Sequence, residues 1–311
     1  MGAGVPGVRP LAARLSKAAR ITVMTGAGVS AASGVPTFRG PGGLWKSHRP
    51  EELATPEAFA RNPGLAWEWY DWRRQQIAAC QPNAAHRVLA SWTRRLSGFS
   101  LVTQNVDGLH ERAAASGNPE GLPPQKPGGG GNPSGLPEQK PGGGGNPSGL
   151  PEQKPGGGGN PSGLPEVIRG GGNPSGLPEV IRLHGSIWDM QCWTGCAASP
   201  PRWRDESVPL SPMPPRCPHC GGLVRPGVVW FGEPLDWGAI EQADDAATCD
   251  VFLAVGTSSV VYPAASFVQR ARRRGAFTVE VNPDATPASD AVDLVLRGAA
   301  ETILPELESL L

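Results

Sequence analysis

The chain has 311 residues, with 28 Lys plus Arg against 28 Asp plus Glu and no formal net charge. That balance excludes the one-signed field that nucleic acid or an acidic membrane surface would need. No apolar run approaches the roughly 20 residues that span a bilayer, and the stretch Met1 to Arg20 has no signal-peptide core, so a cytoplasmic location is expected. Six cysteines over this length argue for a reducing compartment, while 43 glycines and 35 prolines point to one anomalous segment.

Leu11 to Arg20 reads as an amphipathic first helix and Ile21 to Met24 as a buried parallel strand. The stretch Thr25-Gly26-Ala27-Gly28-Val29-Ser30 follows at once, then Gly34-Val35-Pro36-Thr37-Phe38-Arg39. Glycines after such a strand let the backbone turn tightly against a pyrophosphate, whose charge then rests on the next helix N-terminus. A purely structural βα turn is the competing reading, because Gly34 comes six residues after Gly28 and not three. Gly43-Leu44-Trp45 leads to a short helical region over 49–59 that Pro56 should break. Trp67 to Ile77 is helical by composition, with Trp67, Tyr70 and Arg74 on one face and Tyr70 next to Arg73 at i, i+3. Asn83 to Leu96 is a further helix, and Phe99 to Thr103 a strand that runs into Gln104-Asn105-Val106-Asp107-Gly108-Leu109-His110.

From Gly117 a unit close to Gly-Asn-Pro-Ser-Gly-Leu-Pro-Glu-Gln-Lys-Pro-Gly-Gly-Gly recurs, restarting at Gly131, Gly145, Gly159 and Gly172. One leucine per copy cannot build the shared core of a solenoid, and proline with glycine opposes helix and sheet, so a flexible loop is expected over 117–178. The last copy ends Glu179-Val180-Ile181-Arg182 and is contiguous with Leu183-His184-Gly185, so it supplies the strand there; Glu166 to Arg169 reads as its duplicate.

Beyond the repeat, Val228 to Glu233 is expected as a strand entering a loop and Leu235 to Cys249 as a helix. Asp250 to Val255 is a buried strand delivering Gly256-Thr257-Ser258-Ser259. A helix over Tyr262 to Arg274, strands Phe277 to Val281 and Asp293 to Leu296, and a terminal helix complete the chain. Alternating strands and helices predict an α/β fold with a doubly wound, Rossmann-like parallel sheet. Polar clusters at 26–39, 104–107, 256–259 and 282–284 stand at strand ends, where ligands gather in such sheets.

Cys192-x3-Cys196 and Cys217-x2-Cys220 fit a closed tetrathiolate zinc site that staples a small lobe; scattered buried thiols are the alternative. His219 inside the second pair is expected to be exposed, and Cys80 and Cys249 to pack. His184 is the candidate general base among five histidines, or else a structural imidazole. Gln104, Asn105, Val106 and Asp107 suit ribose hydroxyls, although Asp107 would equally cap a helix.

Taken in order, these motifs resemble the sirtuin family of NAD-dependent protein deacylases, over roughly 10–116 and 179–311. The resemblance implies a catalytic domain over 8–311, with a Rossmann lobe near 8–45, 85–116 and 226–311. A helical and zinc lobe would lie near 46–84 and 187–225. It implies NAD as a consumed co-substrate and one structural zinc on Cys192, Cys196, Cys217 and Cys220. The acyl oxygen would capture the ribose carbon as nicotinamide leaves, giving O-acyl-ADP-ribose, with His184 taking a proton from a ribose hydroxyl. Asn105 and Asp107 would hold that ribose, with His184 the catalytic set, and Gln104 and Val106 beside them. Ser258 and the backbone of Gly26, Ala27 and Gly28 would contact the phosphates, with Ser30, Gly256 and Thr257 also in the cofactor site. Phe38 and Arg39 would sit over the nicotinamide ribose, Asn282 would contact the adenosine ribose and Ala300 the adenine, with Pro36, Thr37, Trp45, Pro283 and Asp284 also in the cofactor site. Val229, Trp230, Phe231, Gly232 and Glu233 would receive the acyl-lysine peptide as an added strand.

Ala54 with Tyr70 and Arg73 looks like the class III subgroup that prefers negatively charged acyl groups. A guanidinium fork and a phenol on one helical face suit a carboxylate, and a small Ala54 leaves room for it. Desuccinylase and demalonylase activity is therefore expected alongside deacetylation, on acylated lysines of proteins, with no nucleic-acid or membrane partner. Against this, Arg73 would merely solvate a helix. An ADP-ribosyltransferase using the same pocket, a silent acyl-lysine-binding module and a hydride-transferring oxidoreductase are the competing functions. The x3 spacing of the first cysteine pair and the long step from Asp107 to His184 depart from the family pattern.

Overall fold

A computed structural model describes residues 5–37, 53–116, 180–198, 200 and 202–311. The repeat and the expected cofactor residues Phe38, Arg39 and Trp45 lie outside them. In chain order the elements are α1 Val8–Leu15, β1 Ile21–Thr25, α2 Gly28–Ala31, α3 Pro56–Arg61, α4 Pro63–Ala79 and α5 Ala84–Arg95. There follow β2 Phe99–Thr103, α6 Leu109–Ala115, β3 Val180–Arg182, β4 Gly185–Cys192, β5 Trp203–Arg204 and β6 Val224–Val228. The last part comprises α7 Trp237–Ala246, β7 Val251–Val255, α8 Ser266–Arg273, β8 Phe277–Asn282, β9 Leu294–Arg297 and α9 Ala300–Glu308.

Six strands form a parallel sheet in the order β3-β2-β1-β7-β8-β9. β1 is buried along its whole length, as a strand covered on both faces must be. Its side chains alternate with the pleat: Ile21 and Val23 join Leu253, Trp92 and Leu304 on one face. Met24 joins Phe252, Ala254 and Phe267 on the other. The direction in which strands are added reverses between β1 and β7, because β2 and β3 build outward on one side and β8 and β9 on the other. Such a reversal leaves a crevice at the carboxyl ends of the strands. The doubly wound sheet expected from the strand and helix alternation is present.

A second sheet, β5-β4-β6, is antiparallel and carries the cysteines at its far end. The helices α3 and α4 pack on it through Phe59, Trp67, Tyr70, Ile187 and Trp230, and the indole of Trp67 donates to the Val224 carbonyl at 2.7 Å.

Several boundaries differ from expectation for local reasons. Pro56 starts α3 where a break was expected, since the first helical turn has no use for its missing N–H, and the Thr55 hydroxyl caps it. The strand expected from Val228 ends there, and Val229 to Glu233 form a loop. The helix expected from Leu235 begins at Trp237, where Asp236 accepts from the Ala239 amide. The helix expected from Tyr262 begins at Ser266.

The turns after β1 and β7 approach each other closely. A Cβ on Gly256 would lie 2.5 Å from the Val29 nitrogen, and its φ of +59° is a left-handed one. Gly256→Ala is therefore expected to destabilise the protein by about 2 kcal/mol or more. Urea unfolding measures this; a loss below about 0.5 kcal/mol would show that the two turns can separate freely.

Candidate active site

A cavity of about 660 Å³ opens at the carboxyl ends of β1, β7 and β8 and runs to the loop after β6. Of the expected cofactor residues, Gly26, Ala27, Gly28, Thr37, Gln104, Asn105, Val106, Gly256, Thr257, Ser258, Asn282, Pro283, Asp284 and Ala300 line it. His184 and the expected substrate residues Ala54, Tyr70, Arg73 and Val229 to Glu233 line it too. Residues far apart in the chain thus meet around one space. Among wall residues that the sequence did not flag are Trp69, Tyr262 and Thr286. No spacing announces them: Trp69 lies inside α4 one residue before Tyr70, and Tyr262 and Thr286 lie on turns whose course only the packing sets.

The glycine loop differs from the cradle expected of it. The Gly26 amide donates to the Val255 carbonyl at 3.0 Å and the Gly28 amide to the Gly256 carbonyl at 2.8 Å. These two N–H groups bind the loops to each other. The glycines serve close backbone approach, since a Cβ on either would lie 2.8 Å from Gly256. The following helix is only four residues long.

Ser30, Pro36 and Asp107 do not line the cavity. Asp107 is 4% exposed and stands one layer behind, where it accepts from the Ser30 hydroxyl at 2.8 Å and from the Leu109 amide at 2.9 Å. The second bond lies at the start of α6, where the helix-end reading put this carboxylate, and the first ties it to Ser30. Asn105 spans the two layers: its side-chain amide donates to the Gly26 carbonyl at 3.0 Å and to the Ser30 hydroxyl at 3.2 Å. Its carbonyl oxygen is thereby the end left to face a ligand. The layer continues through His86, 3.3 Å from the Ser30 hydroxyl and with its ring tilted against His110, centres 4.8 Å apart; the Nε2 of His110 meets the Thr25 hydroxyl at 2.9 Å. Neither histidine was singled out in the sequence; a histidine on an apolar helix face carries no signal of a partner elsewhere.

His184 approaches the Gln104 carbonyl through Nδ1 at 2.9 Å. A carbonyl only accepts, so the proton lies on Nδ1 and Nε2 keeps its lone pair. Burial lowers the pKa of this imidazole below its ordinary value, against the opposing pull of that carbonyl. It is thus an unprotonated base at neutral pH.

At the other end, the Tyr70 hydroxyl accepts from the Trp230 indole at 2.8 Å, and the Arg73 guanidinium stands 5.1 Å from the Trp69 ring centre. Burial pushes the Tyr70 phenol up to about 12, offset by the Trp230 bond and the Arg73 charge. Burial also pulls Arg73 down to about 10, offset by Tyr70 and Asp107. At neutral pH the wall therefore presents a neutral phenol and a positive guanidinium. Arg73 is 4% exposed, which removes the reading of it as a surface solvator.

The expected peptide-binding loop is already bonded along its donors. The Val229 amide reaches the His184 carbonyl, the Phe231 amide the Ala54 carbonyl and the Glu233 amide the Trp230 carbonyl, while the Trp230 amide is held by the Glu233 carboxylate at 2.8 Å. An added strand could not use those four N–H groups without displacing these bonds.

The four cysteines converge away from the cavity. Cys192 and Cys220 have sulfurs 3.7 Å apart and Cys196 and Cys217 3.8 Å, and all four ligand atoms lie within 4.8 Å of one another. Tetrahedral Zn–S bonds of about 2.3 Å imply sulfur separations of about 3.8 Å, so the set fits zinc despite the x3 spacing. His219 is exposed.

With this geometry, the comparisons with known proteins agree. The Sir2 family pattern matches residues 26–118 and 171–263. The chain belongs to the Sir2 family. A protein of Aquifex aeolicus named NAD-dependent protein deacylase is 40% identical over 288 residues, 92% of this chain and 93% of that one. The dog protein named NAD-dependent protein deacylase sirtuin-5, mitochondrial, is 34% identical over 94% of this chain and 81% of its own. A solved Sir2 homolog–NAD complex is 34% identical with a TM-score of 0.72, covering 100% of this chain and 96% of that one. In this Sir2 chain, no helix among the described residues is long and apolar enough to cross a membrane.

Two outcomes are expected. Burial lowers the pKa of His86, His110 and His184 alike, so the unfolded chain, with imidazoles near 6.5, binds these protons more readily. Their contribution to stability is complete above about pH 6.5 and is lost as pH falls through the lowered values. The urea midpoint should therefore fall between pH 7 and pH 5; a flat profile would contradict the neutral, buried assignment. Metal analysis should give one zinc per chain, with Cys217→Ser losing both the zinc and several degrees of melting temperature. A zinc-free wild-type protein with the same melting temperature would overturn the metal assignment.

Proposed function

We propose that this protein is an NAD-dependent protein-lysine deacylase that prefers acyl groups ending in a carboxylate, succinyl and malonyl above acetyl. The reaction consumes NAD, releases nicotinamide and transfers the acyl group to ADP-ribose. The observation that carries the preference is the buried pair Tyr70 and Arg73 in the cavity wall beside Ala54. A planar guanidinium fork and a phenol hydroxyl on one wall match a substrate carboxylate, which offers two acceptor oxygens to them. The names of the Aquifex and dog relatives support the coarser reaction.

The residues divide the work by position. His184 Nε2 takes a proton from a ribose hydroxyl, and the Gln104 carbonyl holds the imidazole in the tautomer this needs. Asn105 offers its carbonyl oxygen to the nicotinamide-ribose region, with Ser30 and Asp107 steadying it from behind. Gly256, Thr257 and Ser258 face the phosphates, and Asn282 to Asp284 with Ala300 face the adenosine; the Asn282 amide donates to the Thr257 carbonyl at 2.8 Å and couples the two. Val229 to Glu233 form the peptide side, as a preformed loop whose side chains and carbonyls meet the substrate. The zinc, held by four thiolates with no open position, keeps the β5-β4-β6 sheet and that loop in place. Thiolates of this kind suit a reducing, cytoplasmic setting.

Nicotinamide release is the test, with matched succinyl-lysine and acetyl-lysine peptides. Turnover should be faster on the succinyl peptide. Arg73→Met should cost it about 10- to 100-fold in kcat/KM and cost the acetyl peptide far less, and His184→Ala should silence both. Equal losses on the two peptides would remove Arg73 from acyl recognition and leave a plain deacetylase.

A further inference from the structure

The Tyr70 hydroxyl has a partner whose chemistry fixes its direction. Indole Nε1–H is a donor only, so at 2.8 Å the phenol oxygen must be the acceptor of the Trp230 bond. The phenol hydrogen therefore points away from Trp230 and is available only to another acceptor. A carboxylate is acceptor-only and needs that hydrogen.

Trp230 is itself held hard. Its ring is 2% exposed, stands under the Arg225 guanidinium at 3.6 Å and packs against Phe59 with ring centres 5.2 Å apart. Arg225 forms a two-pronged pair with Glu233, Nη2 to Oε2 at 2.8 Å, and the same Glu233 oxygen accepts from the Trp230 backbone amide at 2.8 Å. One part-buried ion pair thus sets both the backbone and the ring of the residue that orients the phenol.

We infer that Trp230 is a positioning residue for acyl specificity, its indole N–H committing the Tyr70 hydroxyl to donate into the cavity and so selecting acyl groups that end in an acceptor-only carboxylate. This rests on the carboxyl-acyl preference proposed above and adds a residue that acts through Tyr70. An acetyl group has nothing for that hydrogen to bind, so the effect belongs to the ratio of the two activities.

A double-mutant cycle tests it, reading the succinyl-to-acetyl ratio of kcat/KM in the parent enzyme, Tyr70→Phe, Trp230→Phe and the double variant, all with zinc bound. Trp230→Phe should lower the ratio about three- to tenfold in the parent, the size of one oriented hydrogen bond, and leave it unchanged once Tyr70 is Phe. Because a smaller ring leaves a void, the same measurement is made with β-(3-benzothienyl)alanine installed at position 230, which keeps the indole shape and lacks the N–H. An equal fall in both backgrounds, or no fall with the isostere, would overturn the inference while the Tyr70→Phe arm still supports the acyl preference. A parent ratio that ignores Tyr70 would overturn the preference and the inference together.

Discussion

Everything in the site depends on two backbone turns being allowed to touch. The turns after β1 and β7 lie side by side where the sheet reverses its winding, and the Gly28 amide donates to the Gly256 carbonyl at 2.8 Å. No side chain fits between them, so the strand ends can converge and leave one crevice. The polar groups on those ends, Gln104 and Asn105 from β2, Thr257 from β7 and Asn282 from β8, are then tied across it. Gln104 donates to the Thr257 hydroxyl at 3.0 Å, and Asn282 to the carbonyl of the same residue. A hydrogen-bonded rim of this kind is preorganised: its dipoles need little rearrangement when a ligand arrives.

Behind the rim, the protein has buried polar side chains in a way that avoids stranding charge. Asp107 is spread over a hydroxyl and an amide, and the two adjoining histidines are held neutral by burial. Around α4 and the antiparallel sheet the charge is kept, because Arg225 finds Glu233 and Arg74 finds Asp205. Buried pairs of this kind add little to stability, since desolvation offsets most of their attraction. What they contribute is a fixed geometry for the aromatic groups packed on them.

The fold was legible wherever local chemistry is strong. Apolar runs such as Ile21 to Met24 and Val251 to Val255 could only be covered strands, and the paired cysteines announced their own convergence. The gathering of Gly26, Asn105, His184, Gly256 and Asn282 was legible through motif order. The part that was not legible is the second layer and the direction of individual groups. Amides assigned to phosphate turn out to join two loops, Asp107 stands behind Asn105, and the loop after Val228 uses its own donors. Each of these is settled by a contact between distant residues, His86 with Ser30 or Phe231 with Ala54, and no local pattern encodes such a contact. Pro56 shows the smaller error: the same residue breaks a helix or starts one, according to a cap one position earlier.

The strand β3 is three residues long and, among the described residues, lies at one edge of the sheet, paired only with β2. Its sequence, Val180-Ile181-Arg182, is also the end of a repeat copy, and the preceding copy ends in the same three residues, Val167-Ile168-Arg169. Unequal recombination between copies can therefore add or remove a whole unit and still deliver an identical edge strand, followed by the same Leu183-His184-Gly185. Length in this part of the gene can change by whole units while His184 keeps its place two residues after the strand.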